Sequence, residues 1–183
     1  KSVFHCFSGV VEFSNFPPKI KILTPLFASK SIFHRHLWEY FKLPKIIKKL
    51  KITHVLLPGG HIIPKKGKYE RIIVSQNALP FNDVERKRYP FGKTRLRLLI
   101  LKYLFLKSYK VADKIIFISN YGLDSVKNYL PKIHLKSKVI PHGLSERFLH
   151  HNAPKPNLKF SSDYYLYVST LDYYKGHLEL IET

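Results

Sequence analysis

Short apolar runs separated by helical segments are the feature that most constrains the fold of this chain. The runs are apolar at consecutive positions rather than at every second position, and helix-like stretches lie between most of them. Strands that are buried on both faces of a parallel sheet have this pattern. We therefore predict an α/β fold, built on a parallel sheet with helices on both faces.

The predicted elements can be placed along the chain from these runs and their flanking residues. Strands are predicted at Val3–Val11, Ile20–Leu23, Thr53–Leu57, Arg71–Ser75, Ile115–Ile118, Lys138–Ile140 and Tyr164–Val168. Helices are predicted at Ser31–Leu50, Thr94–Val111, Tyr121–Leu130 and Gly176–Glu182. Pro44 is expected to interrupt the first helix, Thr94 to cap the second and Ser119 to open the third.

The charge of the chain is strongly positive and unevenly distributed. The net charge is +20, and residues 1–150 hold 29 of the 32 Lys and Arg but only 8 of the 12 Asp and Glu. Such a surface attracts polyanions, which include nucleic acid, anionic lipid headgroups and phosphorylated substrates. The alternative is that a chain rich in Lys, Ile, Tyr and Phe reflects an AT-rich genome. The change in composition predicts a domain boundary near residue 150, with a linker over residues 151–161.

Other features exclude broad classes of protein. Hydrophobic residues make up 45% and charged residues 24% of the 183 positions, which is typical of a folded domain. A single cysteine, Cys6, excludes a disulfide framework, and no apolar run approaches the roughly 20 residues of a membrane-spanning helix. The histidine spacing does not fit a metal site, and neither a phosphate-binding loop nor a nucleophile elbow is present. Because the chain lacks methionine and starts at Lys1, we expect it to be an internal fragment of a longer protein.

Polar residues and glycines follow several of the predicted strands. Ligands of α/β proteins bind at the carboxyl ends of parallel strands, so these residues are candidates for a binding site. For Ser119 the alternatives are an anion site at a helix start and a plain helix cap. The candidates are Gly59, Gly60, His61, Gln76, Asn77, Ser119, Ser169 and Thr170.

Three segments occur in a distinctive order in the second half of the chain. They are VADKIIFIS at residues 111–119, KVIPHGLSERF at 138–148 and YLYVSTLDYYKGH at 165–177. This order and spacing resembles the middle of family 4 glycosyltransferases. Residues 37–44, 58–60 and 76–81 are similar to a subgroup of that family seen in polysaccharide and lipopolysaccharide assembly.

The resemblance implies a GT-B fold, in which a nucleotide-sugar cleft lies between two Rossmann-like lobes. Residues 1–150 would be the acceptor-side lobe without its first strand, and residues 162–183 the first strand and helix start of the donor-binding lobe. The activity implied is transfer of a hexose from a nucleotide diphosphate sugar to a glycan or lipid-linked glycan. Retention of configuration and no bound metal are also implied. We expect a cytoplasmic location, either free or peripheral at the inner face of the plasma membrane.

Site residues follow from the same resemblance. Lys175 would reach the donor diphosphate, with Ser169, Thr170 and Gly176 beside it; Thr170 stands where the family often has Arg. Gln76 stands where many members have His, so Gln76 and Asn77 are assigned to positioning of a sugar rather than to proton transfer. Gly59, Gly60, His61 and Ser119 are assigned to the acceptor side, and the family's acidic pair is expected beyond the C-terminus.

The helix predicted at Thr94–Val111 leaves two alternatives open. It is apolar almost all round, with Arg95, Lys102, Lys107 and Lys110 assigned roughly to one side. It either packs against the sheet or lies in the headgroup layer of a membrane. The alternative function is therefore a non-enzymatic basic α/β domain that binds anionic membrane surfaces or polyanions; no nucleic-acid motif is present. The segment after residue 161 is expected either to dock loosely through Tyr164, Leu166 and Val168 or to be mobile.

Overall fold

The structure is a computed structural model that describes residues 4–7, 20–23, 32–59, 67–144, 146 and 166–182. Six strands and six α-helices occur in the described residues. The strands are β1 (Phe4–Phe7), β2 (Ile20–Leu23), β3 (His54–Leu57), β4 (Glu70–Ser75), β5 (Lys114–Phe117) and β6 (Ser137–Val139). The α-helices are α1 (Ile32–Phe41), α2 (Leu43–Lys49), α3 (Asp83–Arg88), α4 (Lys93–Val111), α5 (Asn120–Lys127) and α6 (His177–Ile181). Short 3-10 helices cover Leu79–Phe81, Pro131–Lys136 and Tyr173–Lys175.

The main sheet contains four strands in the order β3-β4-β5-β6. β4 and β5 pair in parallel, as do β5 and β6, and the register sets Ser75 beside Phe117 and Phe117 beside Val139. β1 and β2 form a separate parallel pair. The predicted α/β class with a Rossmann-like parallel sheet is thus confirmed.

The chain divides into two compact units, residues 1–56 with 62–71 and residues 57–61 with 72–183. In the first unit, Trp38 of α1 and Leu43 and Ile47 of α2 are buried. Pro44 lies in the first turn of α2, as predicted, where its missing N–H leaves no helical bond unmade. The predicted boundary and linker around residues 150–161 lie outside the described residues and stay a prediction.

The second unit is built around an aromatic core. Tyr109 and Phe117 are fully buried, and the rings of Phe81, Phe105 and Tyr109 lie about 6 Å apart from one another. The Tyr109 hydroxyl forms a 2.7 Å hydrogen bond with Ser75 Oγ, so its polar atom is paired inside the core. Burial raises the pKa of Tyr109 to about 12.

The structure differs from the predicted helices in two places, the start of α4 and the presence of α3. The long helix α4 begins at Lys93 with Gly92 as its N-cap, so Thr94 is not the cap. The Arg95 guanidinium lies 4.1 Å from the centre of the Phe91 ring, so the first turn of the helix contacts the residue before its cap. Helix α3 was not predicted, although Asn82 followed three residues later by Glu85 is a capping pattern. The Asn82 side chain accepts hydrogen bonds from the backbone N–H groups of Val84 and Glu85.

The basic residues of α4 do not form the single face that was predicted. Lys102 points to Asp83, with 3.1 Å between Nζ and Oδ1, and lies 3.8 Å over the ring of Tyr129. Lys107 and Lys110 are exposed. Lys102 therefore contacts a carboxylate and an aromatic ring from other parts of the chain.

The predicted strand at Tyr164–Val168 is not found in its described part, residues 166–168. Leu166 and Val168 are 78% and 84% exposed, so the alternative in which these side chains dock the segment is not met for them; Tyr164 lies outside the described residues. A strand forms through hydrogen bonds to a neighbouring strand, and among the described residues none lies beside this segment. Within the described ranges, every helix is too short or too polar to cross a bilayer.

Candidate functional site

Polar residues meet at one edge of the main sheet, where β4 and β5 end. The parallel register pairs Ser75 with Phe117, so Gln76, Asn77 and Ser119 follow at the same edge. All three are exposed. The expectation that residues of separate strands converge at the carboxyl edge is met for these three residues.

Two of these three side chains have local structural partners. Asn77 Oδ1 accepts a 3.1 Å hydrogen bond from the backbone N–H of Leu79 and so closes the turn after β4. Ser119 Oγ accepts a 3.1 Å hydrogen bond from the backbone N–H of Gly122 and caps α5. Of the two alternatives for Ser119, the structure therefore has the helix cap.

The predicted glycine turn after β3 is only partly described. Gly59 is exposed, and a Cβ at this position would meet nothing within 4 Å. A larger side chain would therefore fit at position 59 without a steric clash. Gly60 and His61 lie outside the described residues.

The loop that carries Lys175 is compact. Tyr173–Lys175 forms one 3-10 turn, and Gly176 follows with φ of +70°, a left-handed conformation that favours glycine. Lys175 Nζ lies 4.8 Å over the ring of Tyr174, and the Lys175 carbonyl accepts a 2.6 Å hydrogen bond from the Tyr167 hydroxyl. Thr170 is exposed, and Ser169 is partly buried beside it.

A cavity of about 680 Å³ lies next to this loop. Its lining comes from the segment that joins α3 to α4 and from the segment that ends in α6. Lys175 and Gly176 are not among the lining residues, but Tyr173 before them and His177 after them are. The lining residues are Arg88, Tyr89, Pro90, Gly92, Lys93, Thr94, Leu171, Asp172, Tyr173, His177, Leu178 and Glu179.

A partly buried hydrogen bond joins the two sides of the cavity. The Tyr89 hydroxyl donates to Asp172 Oδ1 at 2.6 Å, and the same carboxylate accepts a 2.8 Å bond from the backbone N–H of Tyr173. The rings of Tyr89 and Tyr173 meet edge to face at 5.4 Å. Burial of Tyr89, reinforced by the Asp172 carboxylate, raises the pKa of the Tyr89 hydroxyl. The tyrosine is therefore a neutral hydrogen-bond donor at physiological pH.

An ion pair closes a second side of the cavity. Arg88 binds Glu179 through its guanidinium and also lies 3.3 Å from Glu85 Oε2. The bond to Glu179 raises the pKa of Arg88. The pKa of Glu179 is lowered, first by a hydrogen bond from its own backbone N–H and then by Arg88. Two carboxylates thus neutralise Arg88, which leaves Lys93 as the lining cation without an ion pair among the described residues.

The start of α4 gives the cavity an anion-binding character. Gly92 caps this 19-residue helix without a side-chain hydrogen bond, so the first N–H groups of the helix are not capped by a side chain. Lys93 and Thr94 stand at this end. On the other side, His177 Nδ1 is buried and has no hydrogen-bond partner within the described residues. Backbone N–H groups, a lysine, a hydroxyl and an imidazole nitrogen can together bind a phosphate group.

Comparisons with family models, with curated proteins and with solved structures find no match for this chain. The cavity residues Tyr89, Lys93, Asp172 and His177 were not among the predicted site residues. Asp172 and His177 lie inside the segment YLYVSTLDYYKGH, so their sequence context was visible. The contribution of Tyr89 and Lys93 had no such signal, because it depends on a contact between segments about 80 residues apart.

Proposed function

We propose that this chain is part of a GT-B-type glycosyltransferase, and that the cavity binds the diphosphate of a nucleotide diphosphate sugar. The donor gives a hexose to a hydroxyl group of a glycan or of a lipid-linked glycan. The observation that carries the proposal is the cavity lined by the start of α4 and by the loop next to Lys175 and Gly176. The order of the three resembling segments supports it independently.

The chemistry of the cavity matches the demands of a sugar-diphosphate donor. In the transfer, the bond between the anomeric carbon and the diphosphate oxygen breaks, the acceptor oxygen bonds to that carbon, and the proton of the acceptor hydroxyl leaves with the diphosphate. Negative charge grows on the departing diphosphate, and fixed donors around it lower the barrier. Lys93 and the first N–H groups of α4 are such donors, with Lys175 in the adjoining turn.

Apolar and aromatic groups complete the cavity. Leu171, Leu178 and Pro90 line it together with Tyr89 and Tyr173. A cavity of about 680 Å³ with apolar walls and a few polar groups is typical of small-molecule sites. The nucleoside part of the donor would lie against these walls. Catalytic groups are proposed to come from residues beyond this sequence, and the reaction is proposed to need no metal.

Titration calorimetry with uridine diphosphate, guanosine diphosphate and pyrophosphate tests the proposal on the chain as it stands. We expect at least one of the nucleoside diphosphates to bind, and Lys93→Ala to weaken it about tenfold or more, since a charge-assisted contact contributes about 1.5–3 kcal/mol. Lys175→Ala is expected to weaken binding in the same direction. Lys132→Ala is the matched control, because Lys132 is an exposed lysine of the Pro131–Lys136 turn, away from the cavity lining.

Three outcomes decide the matter. Binding that Lys93→Ala weakens and Lys132→Ala does not would support the proposal. No binding of any of the three compounds, or an equal loss in both variants, would reject the cavity as a diphosphate site. The alternative function, a non-enzymatic basic α/β domain, predicts a response to anionic vesicles and none to nucleoside diphosphates.

A further inference from the structure

Helix α4 has two apolar faces, and within the part of the chain that the structure describes one is buried and the other is exposed. Leu98, Phe105 and Tyr109 are buried on the inner face. At about 100° per residue, the opposite face carries further large apolar residues. Those residues are Leu96, Leu99, Ile100, Tyr103 and Leu104, which are 40% to 65% exposed. We refer to these five residues as the outer face of α4.

Basic residues surround the outer face. Lys93 and Arg97 are exposed near its first turn, and Lys107 and Lys110 are exposed near its last turns. The helix contains six Lys and Arg and no Asp or Glu. Helices that lie in the headgroup layer of a membrane combine apolar side chains that enter the bilayer with Lys and Arg that attract anionic lipids, and α4 exposes residues of both kinds.

We propose that the outer face of α4 docks on an anionic lipid bilayer. Its leucines, isoleucine and tyrosine enter the boundary between headgroups and acyl chains, and the four exposed basic residues bind lipid phosphates. Each lysine or arginine near such a surface adds to the attraction, and the aliphatic side chains add the apolar contribution. None of the five outer-face residues lines the cavity, so substitutions in them test membrane docking without altering the proposed donor site. Of the four basic residues, Lys93 also lines the cavity.

Charge favours a bilayer over a second copy of the chain as the occupant of this face. Two copies packed through α4 would bring Lys107 and Lys110 of one against basic residues of the other, with no carboxylate on either helix to offset them. Like charges at an interface oppose association. An anionic bilayer supplies the complementary charge that the helix itself lacks.

Vesicle sedimentation tests the proposal with the purified chain. Vesicles of pure phosphatidylcholine are compared with vesicles that also contain phosphatidylglycerol, at low and at physiological salt. We expect binding to the anionic vesicles, and Leu96→Ser combined with Ile100→Ser to weaken that binding about tenfold. Leu135→Ser is the matched control, since Leu135 is 75% exposed but lies outside α4, and its binding is expected to be unchanged.

Further measurements separate insertion from attraction by charge alone. Tyr103→Trp is expected to gain blue-shifted emission on anionic vesicles, with quenching by brominated lipid. Equal binding of the native chain and the Leu96→Ser, Ile100→Ser variant would overturn the proposal in favour of general polyanion binding. So would a dimer in sedimentation equilibrium that these two substitutions dissociate, without vesicle binding. Unchanged melting temperatures of the variants exclude misfolding as the cause of any loss.

Discussion

The Tyr89 hydroxyl donates a 2.6 Å hydrogen bond to Asp172, which lies 83 residues further along the chain. Asp172 in turn caps the Tyr173–Lys175 turn by accepting from the backbone N–H of Tyr173. This pair therefore fixes the loop that carries Lys175 and Gly176 against the segment that begins α4. It is also the contact that closes the proposed donor cavity, so its loss has a local consequence that can be measured.

Tyr89→Phe is expected to loosen residues 166–182 without unfolding the rest of the second unit. The substitution keeps the ring contact with Tyr173 and removes only the hydroxyl group. A hydrogen bond to a charged group contributes about 1.5–3 kcal/mol, so amide exchange in this segment should speed up about tenfold. Hydrogen exchange followed by mass spectrometry measures this acceleration of amide exchange. Tyr174→Phe is the control, and similar acceleration in both variants would show that the Tyr89–Asp172 bond does not hold the loop.

The buried Tyr109 hydroxyl predicts a loss of stability at alkaline pH. Burial raises its pKa in the folded state to about 12, whereas the unfolded chain loses this proton near pH 10. Between these values the unfolded state binds fewer protons, so the free energy of unfolding falls as pH rises, by up to about 1.4 kcal/mol per pH unit. Below about pH 10 the contribution is fully present.

Urea unfolding of the native chain and of Tyr109→Phe between pH 9 and 11.5 tests this titration, in a range set by the two pKa values. The variant is less stable at pH 9, because Ser75 loses its buried partner. Its stability should nevertheless fall less steeply with pH than that of the native chain. Parallel pH curves for the two proteins would contradict the assignment, since the two chains differ in no titratable group other than Tyr109.

Asn82 is predicted to stabilise the second unit in two ways. Its Oδ1 caps α3, and its Nδ2 donates a 2.8 Å hydrogen bond to the Tyr121 hydroxyl on α5. Asn82→Ala should cost about 1–2 kcal/mol of unfolding free energy, and Asn82→Asp much less, because a carboxylate retains the cap. A double-mutant cycle with Tyr121→Phe should give a coupling of about 0.5 kcal/mol. A coupling of zero would mean that the bond to Tyr121 contributes nothing to stability.

A substitution in the aromatic core should lower the free energy of unfolding far more than a substitution on the surface. Phe117 is fully buried on β5 and meets the ring of Tyr109, so Phe117→Ala is expected to cost about 3–5 kcal/mol. Leu135→Ala removes an exposed side chain and should change stability by less than about 0.5 kcal/mol. Denaturant unfolding of both variants measures the difference, and similar costs at the two positions would contradict this description of the core.

Much of the fold could be predicted because it depends on local rules. Pro44 restarts a helix in its first turn and Ser119 caps another, and both effects are properties of neighbouring residues. Apolar runs at consecutive positions also predicted the parallel sheet correctly. Helix α3 was missed although its cap pattern is local, because a helix of six residues has too little periodicity to detect.

The candidate site was predictable only in part. The resemblance predicted site residues in the segment that contains Lys175 and Gly176, and a cavity lies beside this segment in the structure. The opposite wall of that cavity, with Tyr89 and Lys93, carries no comparable sequence pattern. The predicted strand over Tyr164–Val168 also failed in its described part, since a strand depends on a neighbour that apolar composition alone does not supply.

The sequence by itself determined the α/β class, the order of most elements and the strongly basic charge, because these depend on periodicity, capping and composition. Only the tertiary structure decided which partners distant residues have. Asp172 meets Tyr89, Glu179 meets Arg88 across 91 positions, and Lys102 turns to Asp83. It also decided that Leu98 is buried while Leu96 and Ile100 of the same helix are exposed. The physical reason is that apolar residues occur on all sides of this helix, so its sequence has no periodicity that selects the buried face, and packing against the aromatic core makes the choice.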